Sequence, residues 1–204
     1  MAGGQLTPRQ KMINMMYLVL TALLAMNVSS EVLEAFKLVE TGIANSNKVL
    51  VDKVKFVDGA FKGKMSESEN GPALYQMTKD VSAEVASLNA YIEGIRTTLL
   101  GATFAGSNED GSLKKLDDID SPTRLLADEQ SKDFKGKEFQ DKIKATRAKI
   151  EAIIDGVPDL LATDKAALKN SITLIAEDYP EEKDLKKKWF YKNFFQVPAV
   201  GTMT

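Results

Sequence analysis

Four polar side chains, Gln10, Asn14, Tyr17 and Thr21, sit inside an otherwise apolar stretch near the start of the chain. Their spacings of four, three and four place them on one face of a helix. Ile13, Met16, Leu20 and Leu23 form a neighbouring apolar stripe, and Arg9 stands just before it. The chemistry such a face can do is hydrogen bonding and charge pairing away from water. Polar side chains in hydrocarbon usually turn toward other protein, where their hydrogen bonds are met. One reading is a face that meets another transmembrane helix. The other is that Asn14 and Tyr17 lie near the interface and Thr21 bonds its own backbone. Arg9 divides in the same way, between an anchor at the headgroups and the partner of a carboxylate on another protein. The segment carries no Asp or Glu. Arg is effectively always charged and Tyr titrates far above neutral. This helix therefore cannot bind and release protons by itself, and a proton-driven machine would take its titrating group from another chain.

Elsewhere the residue types exclude more than they offer. The 204 residues include no histidine and no cysteine. That removes the commonest general base, thiol chemistry, disulfides and the usual zinc ligands. The remaining carboxylates, lysines, tyrosines, serines and threonines show no arrangement that reads as a catalytic, cofactor or metal site, so no enzyme is expected. Asp117, Asp118 and Asp120 could hint at a cation, but their spacing is not that of a calcium loop and solvated charge is the plainer reading. A net charge of −2 gives no general pull toward nucleic acid or anionic lipid. The lysines beside clustered aromatics in "KDLKKKWFYKNFFQVPAV" could suggest either. The expectation is instead that Trp189, Phe190, Tyr191, Phe194 and Phe195 pack across one end of a helical bundle while the lysines stay wet.

These residues need elements to position them. No charge interrupts Met12 to Val28, a run at the short end for spanning a bilayer. Arg9 and Lys11 on one side, and Glu31 and Glu34 on the other, keep the N-terminus cytoplasmic. A cleaved signal peptide is the competing reading. Against it, there is no convincing cleavage site, and helical periodicity continues through Val32, Phe36, Val39, Ile43, Leu50, Val54, Val57 and Phe61. Thr7-Pro8-Arg9-Gln10 fits a capping box with Pro at the first helical position. The expectation is one helix from Pro8 to about Lys62, roughly 80 Å long.

A second helix is carried by Leu74, Met77, Val81, Val85, Leu88, Ile92, Ile95 and Leu99, ending at Gly101. A third runs over 137–155 with Phe139, Ile143, Ile150 and Ile153 inward, stopped by Gly156 and Pro158. A fourth is expected over 164–176 with Leu168, Ile172 and Ile175 inward. The polar stretch 101–123 receives no role. The fold class is all-α: a single N-terminal transmembrane helix continuing into an up-down helical bundle. The domains are a cytoplasmic N-terminus (1–7), a transmembrane helix (8–30) and a helical bundle across the membrane (31–204), which the resemblance below makes periplasmic and followed by later domains.

The opening "LTPRQKMIN-MYLVL-ALLA-NVS-EVL-AF" pattern, with "WFYKNFFQVPAV" more loosely, resembles the GldM (PorM) family of gliding motility and type IX secretion. The resemblance implies a single-pass inner-membrane protein with its larger part in the periplasm. It implies a homodimer whose membrane helices sit inside a ring of GldL helices, the pair forming a motor driven by the proton motive force. It also implies reach toward a GldK/GldN ring through regions beyond this chain. Carried over by position, Arg9 matches a basic residue that pairs with a GldL glutamate, and Asn14 and Tyr17 match polar positions facing the ring. Met16, Leu20 and Thr21 complete the expected membrane contact. A membrane-anchored periplasmic sensor or scaffold is the alternative, although such receptors usually carry a second membrane helix and an output domain.

Overall fold

The computed structural model describes residues 7–26, 30–101, 104–109, 111–179 and 188–203. The first helix, α1, spans Pro8–Met26, and the second, α2, spans Ser30–Lys64. Whether the two are continuous turns on Asn27–Ser29, which lie outside the described residues. A 3-10 turn over Met65–Glu67 reverses the chain into α3, Gly71–Leu99. That reversal needs glycine at residue 71, because a Cβ there would fall 1.8 Å from the Met65 carbonyl oxygen.

Helix α5, Gly136–Asp155, packs along α3 and runs antiparallel to it. Lys149 meets Glu84 near one end of the pair and Phe139 meets Tyr91 near the other. Between α3 and α5 the chain makes a short helix, α4 (Asp120–Pro122), prolonged as a π-turn over Thr123–Ala127. A Cβ on Gly136 would fall 1.9 Å from the Leu126 carbonyl oxygen, so this glycine lets α5 start hard against that turn. The chain ends in α7, Trp189–Phe194, and α8, Ala199–Met203. Among the described residues there are helices and one isolated bridge, Ser107 with Leu113, but no strand. The all-α expectation holds.

Three parts of the expected bundle differ. The stretch after α3 is not a polar appendage. Phe104, Ala105 and Leu113 are buried with Ile95, Leu99, Leu125 and Leu126, and this is the main core. On α5 the inward face is carried by Gln140, Ile143, Thr146, Ile150 and Ile154, with Ile153 only half-buried. The expected fourth helix, α6, covers only Ala162–Asn170. Ile175 is 67 % exposed and Leu168 is 38 % exposed, so neither is inward.

The chain from Ile172 to Asp178 instead lies extended along α5, with Ile172, Leu174 and Ala176 turned inward and Thr173, Ile175 and Glu177 outward. Its backbone has no sheet to join, so α5 supplies the donors. Arg147 donates to the carbonyls of Ile172 and Leu174, and the Gln140 amide donates to the carbonyl of Ala176. A helix would have left those carbonyls to itself. The β-branched Ile172, Thr173 and Ile175 are poor helix formers, and Arg147 and Gln140 complete the alternative. The Phe190 side chain is fully buried, which contributes about 2–3 kcal/mol. Trp189 and Phe194 meet Phe139 at 5.7 and 6.1 Å between ring centres. Phe195 is 37 % exposed and stacks on Tyr191, so only part of the aromatic cluster packs inward.

Asp178 closes this strap. Its carboxylate accepts from the Gln140 amide at 2.7 Å and from the Trp189 N–H at 2.8 Å. Burial pushes its pKa up, but those two hydrogen bonds and the charges of Lys144 and Lys137 outweigh it, so the carboxyl titrates below its ordinary value. We expect Asp178→Ala to cost about 1–3 kcal/mol at neutral pH, read by urea unfolding. A depressed folded pKa gives stability that is complete above the unfolded value and lost as pH falls through the folded one. The gap between wild type and variant should therefore close below about pH 4. A gap that persists in acid would mean the carboxylate is not what holds the strap.

Candidate functional site

Helix α1 starts as a reciprocal capping box. The Gln10 N–H donates to the Thr7 hydroxyl at 3.3 Å, and the Thr7 N–H donates to the Gln10 side-chain oxygen at 3.2 Å. Arg9, Asn14, Met16, Tyr17, Leu20 and Thr21 all lie on this helix and are exposed. At 100° per residue, Asn14, Tyr17 and Thr21 fall within an arc of roughly 60°, and Arg9, Met16 and Leu20 within roughly 40° beside it. The Thr21 hydroxyl donates to the Tyr17 carbonyl at 2.6 Å, so that donor serves its own helix. Asn14 and Tyr17 remain as the side chains able to reach outward.

The apolar residues of α1 cover the rest of its circumference. Met12, Ile13, Met15, Leu18 and Leu20 are all exposed, and Tyr17 is 72 % exposed. Among the described residues no helix is long and apolar enough to cross a membrane. The reason is local. The first turn of α1 is Pro8, Arg9, Gln10 and Lys11, which leaves an apolar length of about 22 Å against a hydrocarbon core of about 30 Å.

Helix α2 joins the body at its two ends. At the near end, Leu33 packs on the core, Phe36 lies beside Gly201 of α8, and Glu40 pairs with Arg96 at 3.3 Å. At the far end, Asp58 pairs with Lys79 at 2.7 Å and Phe61 meets Tyr75 edge to face. The three pairs 40–96, 58–79 and 61–75 keep one antiparallel offset, so α2 and α3 form a hairpin in a single register. Between the two ends the helices do not close. One cleft of about 380 Å³ lies by Ile43, Asn47, Asn89 and Ile92, and another of about 630 Å³ lies by Leu50, Val54, Val57 and Ser82. Away from this groove, Leu38, Val49 and Phe56 make a second apolar stripe on α2, with Leu38 74 % and Phe56 78 % exposed.

The contact between α8 and α2 was invisible to sequence periodicity. Ala199 and Val200 are fully buried, and their N–H groups donate to the carbonyls of Asp118 and Leu116. The one available hint was "VPAVGTM", a run of small and apolar residues that makes sense only if something covers it. The acidic loop resolves differently from a cation site. The Asp118 carboxylate accepts from the Ser121 hydroxyl and from the N–H groups of Ser121 and Asp120. Burial raises its pKa, but these bonds and the charge of Lys115 outweigh it and leave it lowered. It acts as the cap of α4. Among the described residues, no group of acidic side chains could hold a metal ion.

Residues 31–204 match the family model described as the GldM N-terminal domain. No curated protein matches the chain.

The α8 contact can be tested directly. Val200→Ala should lower stability by about 1–3 kcal/mol. In hydrogen exchange, protection should fall at Leu33–Glu40 more than at the far end of α2. Uniform loss along α2 would mean that α8 does not hold its base.

Proposed function

The chain belongs to the GldM family, whose setting is gliding motility and type IX secretion, and from that premise we propose that it is the membrane-embedded, force-transmitting component of a proton-driven motor. The observation that carries this reading is α2: a helix of 35 residues, about 50 Å long, tied to a folded body at its two ends and bare along its middle. Such an element moves as a rod. Between its two attachments, little packing interrupts the path along α2 to the α2–α3 turn.

In this reading α1, with the residues that follow it, lies in the inner membrane, the N-terminus is cytoplasmic and 31–204 is periplasmic. Support comes from the wide exposed apolar surface of α1 and from the basic residues before it. The short apolar length is met by thinning of the bilayer and by residues beyond Met26. A ring of GldL-type helices surrounds α1 and supplies the carboxylate that takes up and releases the proton. Arg9 pairs with that carboxylate, and Asn14, Met16, Tyr17, Leu20 and Thr21 face the ring. The working unit is a homodimer, for which Leu38, Val49 and Phe56, exposed on one face of α2, are the supporting feature. Contacts with a GldK/GldN ring are made by regions beyond this chain.

Two variants test this. Arg9→Ala should abolish secretion and gliding while the protein remains folded and inserted. Normal secretion would remove the charge pair from the mechanism. Leu38→Glu combined with Phe56→Glu should leave the helix content unchanged and convert the purified protein from dimer to monomer in sedimentation. An unchanged dimer would mean that another surface holds the pair.

A further inference from the structure

The far half of the α2–α3 groove is built unlike a closed helical hairpin. Helix α2 offers Leu50, Val54, Val57 and Phe61 toward it at spacings of four, three and four, the rhythm of a coiled-coil seam. Helix α3 answers with the short side chains Thr78 and Ser82. The large residues of one helix therefore meet small residues on the other, and Val54 stays 64 % exposed. The ion pair of Asp58 with Lys79 and the ring contact of Phe61 with Tyr75 hold the two backbones in place. The groove cannot fill itself by a simple slide of one helix along the other. Its missing component is a third row of apolar side chains at helical spacing, the pattern of a helix laid into a groove.

Charge says what kind of helix. From residue 48 to 64, α2 carries Lys48, Lys53, Lys55, Lys62 and Lys64 against Asp52 and Asp58. Asp58 is engaged by Lys79, and Asp52 lies 3.9 Å from Lys55. The acids of α3 near the groove are also engaged: Asp80 accepts from Gln76, and Glu84 pairs with Lys149 on α5. The groove lining holds Lys53, Lys55 and Lys79 against Asp58, which leaves its edge net cationic even with Asp52 beside Lys55. A copy of the same segment laid alongside would set these lysines against one another.

We propose that this half of the groove is the docking site of one amphipathic helix with acidic edges, carried by a partner other than a second copy of this chain. Leucine-sized side chains of that helix seat over Val54 and Val57, and its carboxylates flank them toward Lys53 and Lys55. The inference does not depend on α1 spanning a membrane or on the motor reading. It assigns a function to a face that neither the dimer stripe nor the α8 contact uses.

The test uses the full chain and a fluorescent helical peptide of about four turns, with leucines at the seam spacing and glutamates beside them, and a twin with lysines in place of the glutamates. Anisotropy should show the glutamate peptide binding, more weakly at high salt, and the lysine peptide at least about tenfold weaker. Lys53→Glu with Lys55→Glu should reverse that preference, and Val54→Glu should abolish binding by both. These positions are exposed, and an unchanged circular dichroism spectrum checks the fold. The proposal fails if neither peptide binds, if both bind alike, or if binding survives Val54→Glu. It also fails if phosphatidylglycerol vesicles displace the peptide, which would make the face a lipid site. A photo-crosslinker at position 54 that joins two copies of this chain would overturn it as well.

Discussion

The last turn of the chain is wedged between the start of α2 and the loop that follows α3, and the rest of the domain is arranged around that wedge. Helix α8 is the element at this wedge. It is held because Ala199 and Val200 are fully buried beside Leu33, Leu113 and Leu125, and because the carbonyls of Asp118 and Leu116 receive its N–H groups. The Asp118 carboxylate then caps α4. One residue thus fixes the loop through its side chain and the end of the chain through its backbone. The base of α2 touches the body where this assembly presents Gly201 to Phe36.

Local chemistry near the N-terminus was readable because its signals are short-range. Thr7 and Gln10 close a capping box as their spacing demands. The extent of α3 follows from three-four periodicity, and the end of α5 from Gly156 and Pro158. The same periodicity blended two faces of α3 into one. Leu88, Ile95 and Leu99 are buried, whereas Val85 and Ile92 are more than a third exposed. A single list of apolar positions could not separate a core face from a groove face.

The misread elements share a physical cause. Leu168, Ile172 and Ile175 fit a helical spacing, but Ile172, Leu174 and Ala176 fit a spacing of two equally well, and short apolar runs do not decide between them. What decides is whether the backbone carbonyls find donors outside a helix. Here they are Arg147 and Gln140, some thirty residues upstream. The stretch 101–123 looked like solvent-exposed loop because its apolar residues are sparse. Phe104, Ala105 and Leu113 nevertheless reach the core, with a bridge between Ser107 and Leu113 and Asn108 and Glu109 turned outward. Arg9, Asn14 and Tyr17 lie on one helix, as their spacing predicts.

If α2 conveys displacement, as proposed, that role and a surface stable in water make opposite demands on it. Conveyance favours attachment at the ends alone, with no packing along the middle to resist movement. Neither Gly42 nor Gly59 breaks the helix, and a Cβ at either position would meet nothing within 4 Å, so bareness rather than bending is the property that both sites share. Water penalises that bareness, because a contiguous apolar surface left open invites uncontrolled association. The two demands are compatible if the middle is covered by groups that move with α2 rather than against it. A subunit on the outer stripe would do so, riding on the rod without contact to α3. The weak, exposed ion pairs at 40–96 and 58–79 suit the same design: they set the register of α2 against α3 without welding the two helices together.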